Sequence, residues 1–300
     1  MTILLLGRDG QLGRALAPAL AALAPVTAVG REDCDLTRVA DEPALAQELL
    51  RSIRPRLVVN AAAYTAVDRA ESESEAAMAV NARAPGVLAQ AAREAGALFV
   101  HYSTDYVFDG RKAAAYDEDD ATNPINCYGR SKRDGELAVA ASGAAHLILR
   151  TSWLYGPKGQ NFLRTMLRLG RERERLSVVD DQIGAPTSTA ALAAATVAIL
   201  RRGGADAATH FAESGGLVHV ACRGTTSWHS FAEAIFAGAR ARGWPLAVRT
   251  VTPIPTADYP TPARRPTRAV LALDRLAEHY GVITPPWRDA LDAVLDGMTR

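Results

Sequence analysis

The N-terminal segment commits the chain to a strand–turn–helix start. Thr2–Leu6 is a short apolar run, the pattern of a strand buried on both faces. It runs into Gly7-Arg8-Asp9-Gly10-Gln11-Leu12-Gly13, three glycines spaced three apart, and Leu12–Leu23 follows with apolar residues at helical spacing. Such glycines let backbone approach a pyrophosphate, and the helix N-terminus adds N–H donors and positive potential. An ordinary strand-to-helix turn has the same local look, so the loop alone does not separate the two.

The next stretch repeats the alternation. Strands are expected at Val26–Gly30, Leu57–Asn60, Leu98–Ser103 and Leu147–Thr151. Helices are expected at Pro43–Ile53, across Ser74–Ala95 and at Asn126–Ala141. This βα order implies an α/β fold, a Rossmann-like doubly wound parallel sheet with helices on both faces. Ligands of such sheets sit at the carboxyl ends of the strands. Gly7, Asn60-Ala61-Ala62, Ser103-Thr104 and Thr151-Ser152-Trp153 all fall there. After Trp153 the pattern loosens into helices at Asn161–Leu169, Ser188–Leu200, Trp228–Arg242, Asp274–Tyr280 and Trp287–Met298, with loops rich in Pro, Gly and aromatics. We therefore divide the chain into a dinucleotide-binding unit, residues 1–152, and a smaller C-terminal substrate lobe, residues 153–300, partly interleaved with the sheet. The run Arg168–Arg175 alternates in sign and reads as a solvated helix end.

Tyr128 and Lys132 stand four apart on the helix expected at 126–141, so both point to one face. A neighbouring ammonium favours the phenolate and lowers a Tyr pKa, and a Tyr so tuned exchanges a proton with a carbonyl oxygen. Thr104, at the end of the preceding strand, is placed to hydrogen-bond the same oxygen. Tyr-x-x-x-Lys is common by chance, and it gains meaning from the glycine loop upstream.

Composition excludes several classes. The 300 residues carry a net charge of +1, with no segment basic enough to track a nucleic-acid backbone, so no nucleic-acid partner is expected. No apolar stretch is long enough to span a bilayer, and the Ile3–Leu6 run is too short for a signal peptide. Cys34, Cys127 and Cys222 are far apart and odd in number, which fits a reducing cytoplasm with neither a disulfide framework nor a zinc site. His101 and His146 are read as structural strand residues.

Together these motifs resemble the extended short-chain dehydrogenase/reductase superfamily and, more narrowly, the dTDP-4-dehydrorhamnose reductase family. The segments that carry the likeness are GRDGQLG at Gly7–Gly13, Asp35-Leu36-Thr37, NAAAYTAVDRAE at Asn60–Glu71 and Val80-Asn81-Ala82. STDYVFDG at Ser103–Gly110, YGRSK at Tyr128–Lys132, RTSWLYG at Arg150–Gly156 and DQIGAPT at Asp181–Thr187 extend it. Thr226-Ser227-Trp228 and PTADYPTPARRP at Pro255–Pro266 complete it, so it spans nearly the whole chain.

The resemblance implies reduction of the C4 ketone of a dTDP-4-keto-6-deoxy sugar, dTDP-6-deoxy-L-lyxo-4-hexulose, to dTDP-L-rhamnose by a nicotinamide cofactor. Catalysis falls to Thr104, Tyr128 and Lys132. Cofactor binding falls to Gly7, Gly10, Gln11, Leu12, Gly13, Arg31, Asp35, Leu36, Ala61, Ala62 and Ala63, with Tyr128 and Lys132. Substrate contacts fall to Thr104, Asp105, Tyr106, Trp153 and Arg265, with Asn161 a weaker candidate. The chain departs from the family where Thr267-Arg268-Ala269 follows Pro266 in place of the frequent Asn-Ser.

Arg8 and Arg31 flank the end of the second strand, where Arg suits a 2′-phosphate, so NADPH is expected to serve at least as well as NADH. Glu32 and Asp33 are the residues that would instead hold a bare ribose. Some members of the resembled family form magnesium-bridged dimers through helix acids. Here Gln11–Leu23 and Ser188–Leu200 carry none, so no metal site is expected, and the protein is a monomer or a homodimer not bridged by magnesium. Two rival readings share the fold: a sugar-nucleotide epimerase that keeps its NAD, and a non-catalytic regulatory subunit.

Overall fold

Six parallel strands form the central sheet, and the order in which they lie creates the crevice. The computed structural model describes residues 2–203, 211 and 216–298. The first half runs β1 (Ile3–Leu6), α1 (Gln11–Ala21), β2 (Val26–Val29), α2 (Leu36–Asp41), α3 (Pro43–Ile53), β3 (Leu57–Asn60), α4 (Ser74–Met78), α5 (Ala84–Glu94), β4 (Leu98–Thr104), α6 (Cys127–Ala141) and β5 (His146–Thr151). The second half contributes β6 (Leu154–Tyr155), α7 (Phe162–Glu172), β7 (Arg175–Val179), β8 (Ile183–Gly184), β9 (Thr187–Ser188), α8 (Thr189–Gly203), β10 (Leu217–His219) and β11 (Thr226–Ser227). It ends with α9 (Trp228–Ala241), β12 (Thr250–Ile254), α10 (Asp274–Tyr280) and α11 (Trp287–Asp296).

The sheet order is β10-β5-β4-β3-β1-β2. β1 pairs with β2 on one side and β3 on the other, with Leu6 level with both Val29 and Asn60. The chain thus reverses its direction of travel between β1 and β3. At such a reversal the loops leave to opposite faces and a crevice opens at the carboxyl ends. β1, β3 and β4 are buried along their whole length. Each fully buried Leu, Ile or Val contributes about 1.5–3 kcal/mol over the exposed state, which explains why such short strands suffice.

The expected fold class is the observed one. Three local differences have physical causes. The helix expected across Ser74–Ala95 contains a π turn at Ala79–Arg83. There the buried Asn81 accepts from Tyr64 N–H (2.8 Å) and donates to Tyr64 O (2.9 Å) and Ser131 Oγ (3.0 Å). The wider turn brings one amide to both the loop after β3 and the underside of α6. The charged run at Arg168–Arg175 is a helix end only as far as Glu172. Arg175–Val179 leaves as β7 and pairs in parallel with β12. The sixth core strand, β10, comes from beyond residue 152 and pairs with β5. α8 likewise packs into the cluster that includes Leu12, Leu16 and Leu20 of α1.

A second cluster, with Phe231, Phe236, Trp244, Trp287 and Leu291, lies among α7, α9 and α11. Arg150 at the end of β5 is clamped by Glu136 of α6 through two hydrogen bonds of 2.9 and 2.7 Å, both groups buried. This charge-assisted fork fixes α6 against the strand that leads into the C-terminal half. Among the described residues, no helix is long and apolar enough to cross a membrane.

Candidate active site

A cavity of about 1040 Å³ opens along the carboxyl ends of β1, β3, β4 and β5, bounded also by the end of β2. Its floor begins at the glycine loop. Gly7 has φ +87°, and a Cβ there would lie 2.7 Å from Ala62 N, so only glycine lets the loop pass the chain after β3. Gly13 presses on Gly7 O, which leaves no room for a side chain. Gly10 caps α1 without a side-chain hydrogen bond, and the first-turn N–H groups of α1 face the cavity end of the loop. This cradle, at the positive end of a helix dipole, fits a dinucleotide pyrophosphate.

Of the expected cofactor residues, Gly7, Gly10, Gln11, Leu12, Arg31, Asp35, Leu36, Ala61, Ala62, Ala63, Tyr128 and Lys132 line the cavity. Gly13 stands behind it, as packing for the loop. At the end of β2 two of the carboxylates, Asp33 and Asp35, are already engaged. Asp33 accepts from Gly30 N–H (2.8 Å) and pairs with Arg8 (3.2 Å). Asp35 caps α2 through Thr37 (2.9 Å) and lies 3.4 Å from Arg31, whose side chain is 80% exposed. Two guanidiniums therefore flank a shallow depression formed by Arg8, Asp9, Arg31, Glu32 and Asp35.

The reacting end is built by β4 and α6. Asn126 caps α6, accepting from Gly129 N–H (2.7 Å) and donating to Arg264 O (2.7 Å). The cap sets the helix start two residues before Tyr128 and so aims Tyr128 and, one turn later, Lys132 into the cavity. Thr104 Oγ1 accepts from Tyr106 N–H (3.2 Å) and donates to Asp105 Oδ1 (3.0 Å). Tyr106 meets Tyr128 edge-on, ring centres 5.6 Å apart. Ser103 and Thr151 also line the cavity, and among the described residues their buried hydroxyls have no hydrogen-bond partner. The sequence places both among the strand-end clusters but gives neither a role of its own.

The electrostatics differ from the sequence expectation in one respect. Lys132 was expected to draw the Tyr128 phenol down. Instead burial pushes it up to about 12, with the Thr104 hydroxyl opposing and Asp105 adding to the rise. The Lys132 side-chain nitrogen meets His101 Nε2 at 3.1 Å and not Tyr128, and burial lowers its pKa to about 8 against the pull of Glu136. His101, read from sequence as structural, is thus a neighbour of the site. His146, which contacts Ala144 O at 2.9 Å, has the structural role expected. Burial raises Asp105 to about 7, opposed by the hydrogen bonds it receives.

The substrate-side residues are placed less uniformly. Thr104, Tyr106 and Trp153 line the cavity; Asp105 and Arg265 do not. Asp105 sits buried behind Thr104. Arg265 forks onto Asp68 at 3.1 and 2.8 Å and is further held by Thr261 Oγ1 and Ala263 O. Trp153 has φ +45°, a left-handed conformation strained for a bulky residue. Its indole stacks on Trp228, centres 3.5 Å apart and planes within 5°. One face of the expected ring platform is therefore taken, and Trp228 becomes part of the cavity wall. Its position in Thr226-Ser227-Trp228, a segment already singled out, was the available signal. Asn161 caps α7 and donates to Gln11 Oε1 (2.7 Å), tying the C-terminal half to the glycine loop. The departing segment after Pro266 is knitted to the loop before it: Thr267 Oγ1 donates to Gly110 O (3.0 Å) and Arg268 to Ala113 O (2.9 Å). Among the described residues there is no cluster of three or more His, Cys, Asp or Glu able to hold a metal ion.

Comparison with known proteins places these features in a family. The RmlD substrate binding domain family model matches residues 1–300. The chain is 48% identical over 293 residues to a dTDP-4-dehydrorhamnose reductase of Burkholderia thailandensis, covering 97% of each protein. It is 44% identical over 296 residues to the Escherichia coli K12 dTDP-4-dehydrorhamnose reductase, covering 99% of this chain and 97% of that one. Its fold matches the Bacillus anthracis dTDP-4-dehydrorhamnose reductase solved in complex with NADP, with TM-score 0.87, 34% identity and 99% coverage of both chains.

The buried Asp105 makes a prediction. Its folded-state pKa lies above the unfolded value, so the unfolded chain gives up its proton first. The associated stability is fully present below about pH 4 and is lost as pH rises through about 7. Asp105→Asn keeps an acceptor for Thr104 and removes the titration. Urea unfolding should show the variant gaining on the natural protein between about pH 4.5 and about pH 8. A difference that stays constant would contradict a buried, titrating Asp105.

Proposed function

Because the chain belongs to the dTDP-4-dehydrorhamnose reductase family, we infer that it reduces the C4 ketone of dTDP-6-deoxy-L-lyxo-4-hexulose to dTDP-L-rhamnose with NADPH. The observation that carries this reading is identity of 48% along nearly the full length of a reductase of that name, in a chain whose Thr104, Tyr128 and Lys132 share the cavity with a glycine loop.

We propose that residues 1–152 mainly bind the dinucleotide and residues 153–300 mainly the sugar nucleotide. The pyrophosphate rests on Gly7–Leu12, the adenosine side on Arg31, Asp35 and Leu36, and the central part on Ala61–Ala63. A nicotinamide held by these residues would supply the hydride to C4. Tyr128 gives its proton to the oxygen at C4, and its raised pKa keeps that proton in place at neutral pH until it is needed. Lys132 binds the nicotinamide ribose and, as a nearby cation, stabilises the phenolate left behind. Thr104 orients the carbonyl, with Asp105 fixing the Thr104 hydroxyl from behind. Trp153, backed by Trp228, and Tyr106 contact the sugar nucleotide. Arg265, which lies outside the cavity lining, would reach a substrate phosphate only by giving up Asp68 for it.

The epimerase alternative is less well supported. An enzyme that retains NAD uses an acid at the end of β2 for the ribose diol; of the two candidates, Asp33 is already bound to Gly30 and Arg8, and Glu32 shares its depression with Arg8 and Arg31. The intact Thr104, Tyr128 and Lys132 weigh against a regulatory subunit. A cytoplasmic location is proposed from three cysteines free of disulfides.

Three outcomes follow. With the keto sugar, the natural protein should oxidise NADPH mole for mole. Tyr128→Phe should lose about a hundredfold to ten-thousandfold in rate while binding NADPH nearly as before. Net oxidation is absent from an epimerase and turnover from a regulatory subunit. Full-rate turnover by folded Tyr128→Phe removes the phenol from the mechanism.

Cofactor choice gives the second. Arg8 and Arg31 flank the depression where a 2′-phosphate would sit, so we propose that NADPH is used at least as well as NADH. Arg31→Ala should raise the Kd for NADPH more than that for NADH. Equal losses would show that Arg31 makes no contact with the 2′-phosphate.

The third concerns assembly. The α11 acids Asp292 and Asp296 pair with Arg242 at 3.1 and 2.8 Å, and α1 and α8 carry no acid. We propose a monomer or a homodimer without a magnesium bridge. Sedimentation should give one species with and without chelator. A dimer that dissociates only when metal is removed would contradict it.

A further inference from the structure

The hydrogen bonds around Lys132 contain a conflict over protons. Lys132 is 2% exposed, and among the described residues no carboxylate lies within ion-pair distance of it. Glu136, one turn further along α6, is committed to Arg150 of β5 through both oxygens. The Lys132 Nζ contact is His101 Nε2 at 3.1 Å, and the other ring nitrogen, Nδ1, faces Asn60 Nδ2 of β3 at 3.3 Å. The Asn60 amide is not free to turn over, because its Oδ1 accepts from Ala62 N–H at 3.1 Å. Asn60 therefore presents a donor to His101.

Burial holds the His101 pKa well below its ordinary value, so the ring is neutral and carries a single proton. That proton faces nitrogens on both sides. If Lys132 is an ammonium, Nε2 must accept from it, and the ring proton on Nδ1 is driven against the Asn60 N–H group. If Lys132 is a neutral amine, Nδ1 accepts from Asn60 and Nε2–H donates to Nζ, so every group has a partner. Buried donors left facing donors are costly. The other charged or titratable groups around Lys132 are Tyr128 on its own helix, whose proton burial retains, and Asp105 beyond the end of β4.

We propose that His101 is a positioning residue that favours the neutral amine form of Lys132 when no dinucleotide is bound, so that above neutral pH Lys132 takes up a proton from bulk water as it turns to the bound dinucleotide. The proposal rests on the reading of Lys132 as a cofactor ligand. The proton balance is simple: one proton enters from solvent, the Nε2–H to Nζ hydrogen bond breaks, and the new ammonium donates to the cofactor and stands beside Tyr128. Burial lowers Lys132 to about 8, which keeps this exchange within reach of ordinary pH.

Calorimetric titration of the full-length protein with NADH, in buffers of different ionisation enthalpy, reads the protons taken up on binding. NADH is chosen because it has no 2′-phosphate to titrate. Uptake should approach one proton at about pH 9 and fall to near none at about pH 6.5. His101→Gln offers Lys132 a carbonyl oxygen and lets it remain an ammonium, so uptake at the higher pH should fall by more than half with the melting temperature little changed. Binding by the natural protein without buffer-dependent heat, or equal uptake in His101→Gln, overturns the proposal. If His101→Gln does not fold, Lys132→Met decides: uptake lost in that variant supports the proposal and uptake retained overturns it. A natural protein that binds neither NADH nor NADPH overturns the cofactor reading itself, and the proposal with it.

Discussion

The close approach of Gly7 to Ala62 is the constraint from which the rest of the site follows. β1 and β3 lie side by side with their chains leaving in opposite directions, and the crevice between them has backbone walls only because Gly7 carries no side chain. Gly13 seats α1 against the same loop. Once this junction is fixed, the helix dipole, the end of β2 with its arginines, and the ends of β4 and β5 all face one volume. The sugar-nucleotide side is attached to it by few but specific bonds, such as Asn161 to Gln11 and Asn126 to Arg264.

Desolvation dominates the chemistry at the inner end of that volume. Burial moves Tyr128, Lys132, Asp105 and His101 each toward its neutral form. A proton donor benefits, since the phenol holds its proton until an alkoxide develops beside it. The same burial makes an idle ammonium expensive. The site therefore needs somewhere to keep Lys132 before the cofactor arrives, and His101 with Asn60 occupies that place.

Much of this was legible in the sequence because it depends on local patterns. Five core strands were visible as short apolar runs between helices, and Tyr128 and Lys132 as a one-turn step. What stayed hidden depends on contacts between distant residues. β10 has three residues and becomes a core strand only by pairing with β5. β7 begins inside a charged run and its partner β12 contains Pro253, so neither reads as a strand alone. The π turn is set by what Asn81 reaches across the fold. His101 and Lys132 are 31 residues apart, and nothing in either neighbourhood announces their contact. The expected effect of Lys132 on Tyr128 failed for the same reason: spacing gives proximity, while burial and a competing partner decide the charge.

The central claim is that a hydride passes to C4 of the keto sugar within this cavity while Tyr128 supplies the proton. It is tested most directly by a single turnover with NADPH carrying deuterium at the transferable position of the nicotinamide, followed by NMR of the sugar product. The account predicts deuterium bonded to C4 of dTDP-L-rhamnose, with one label per molecule formed. Label found at another carbon, or a product formed with none, would contradict it.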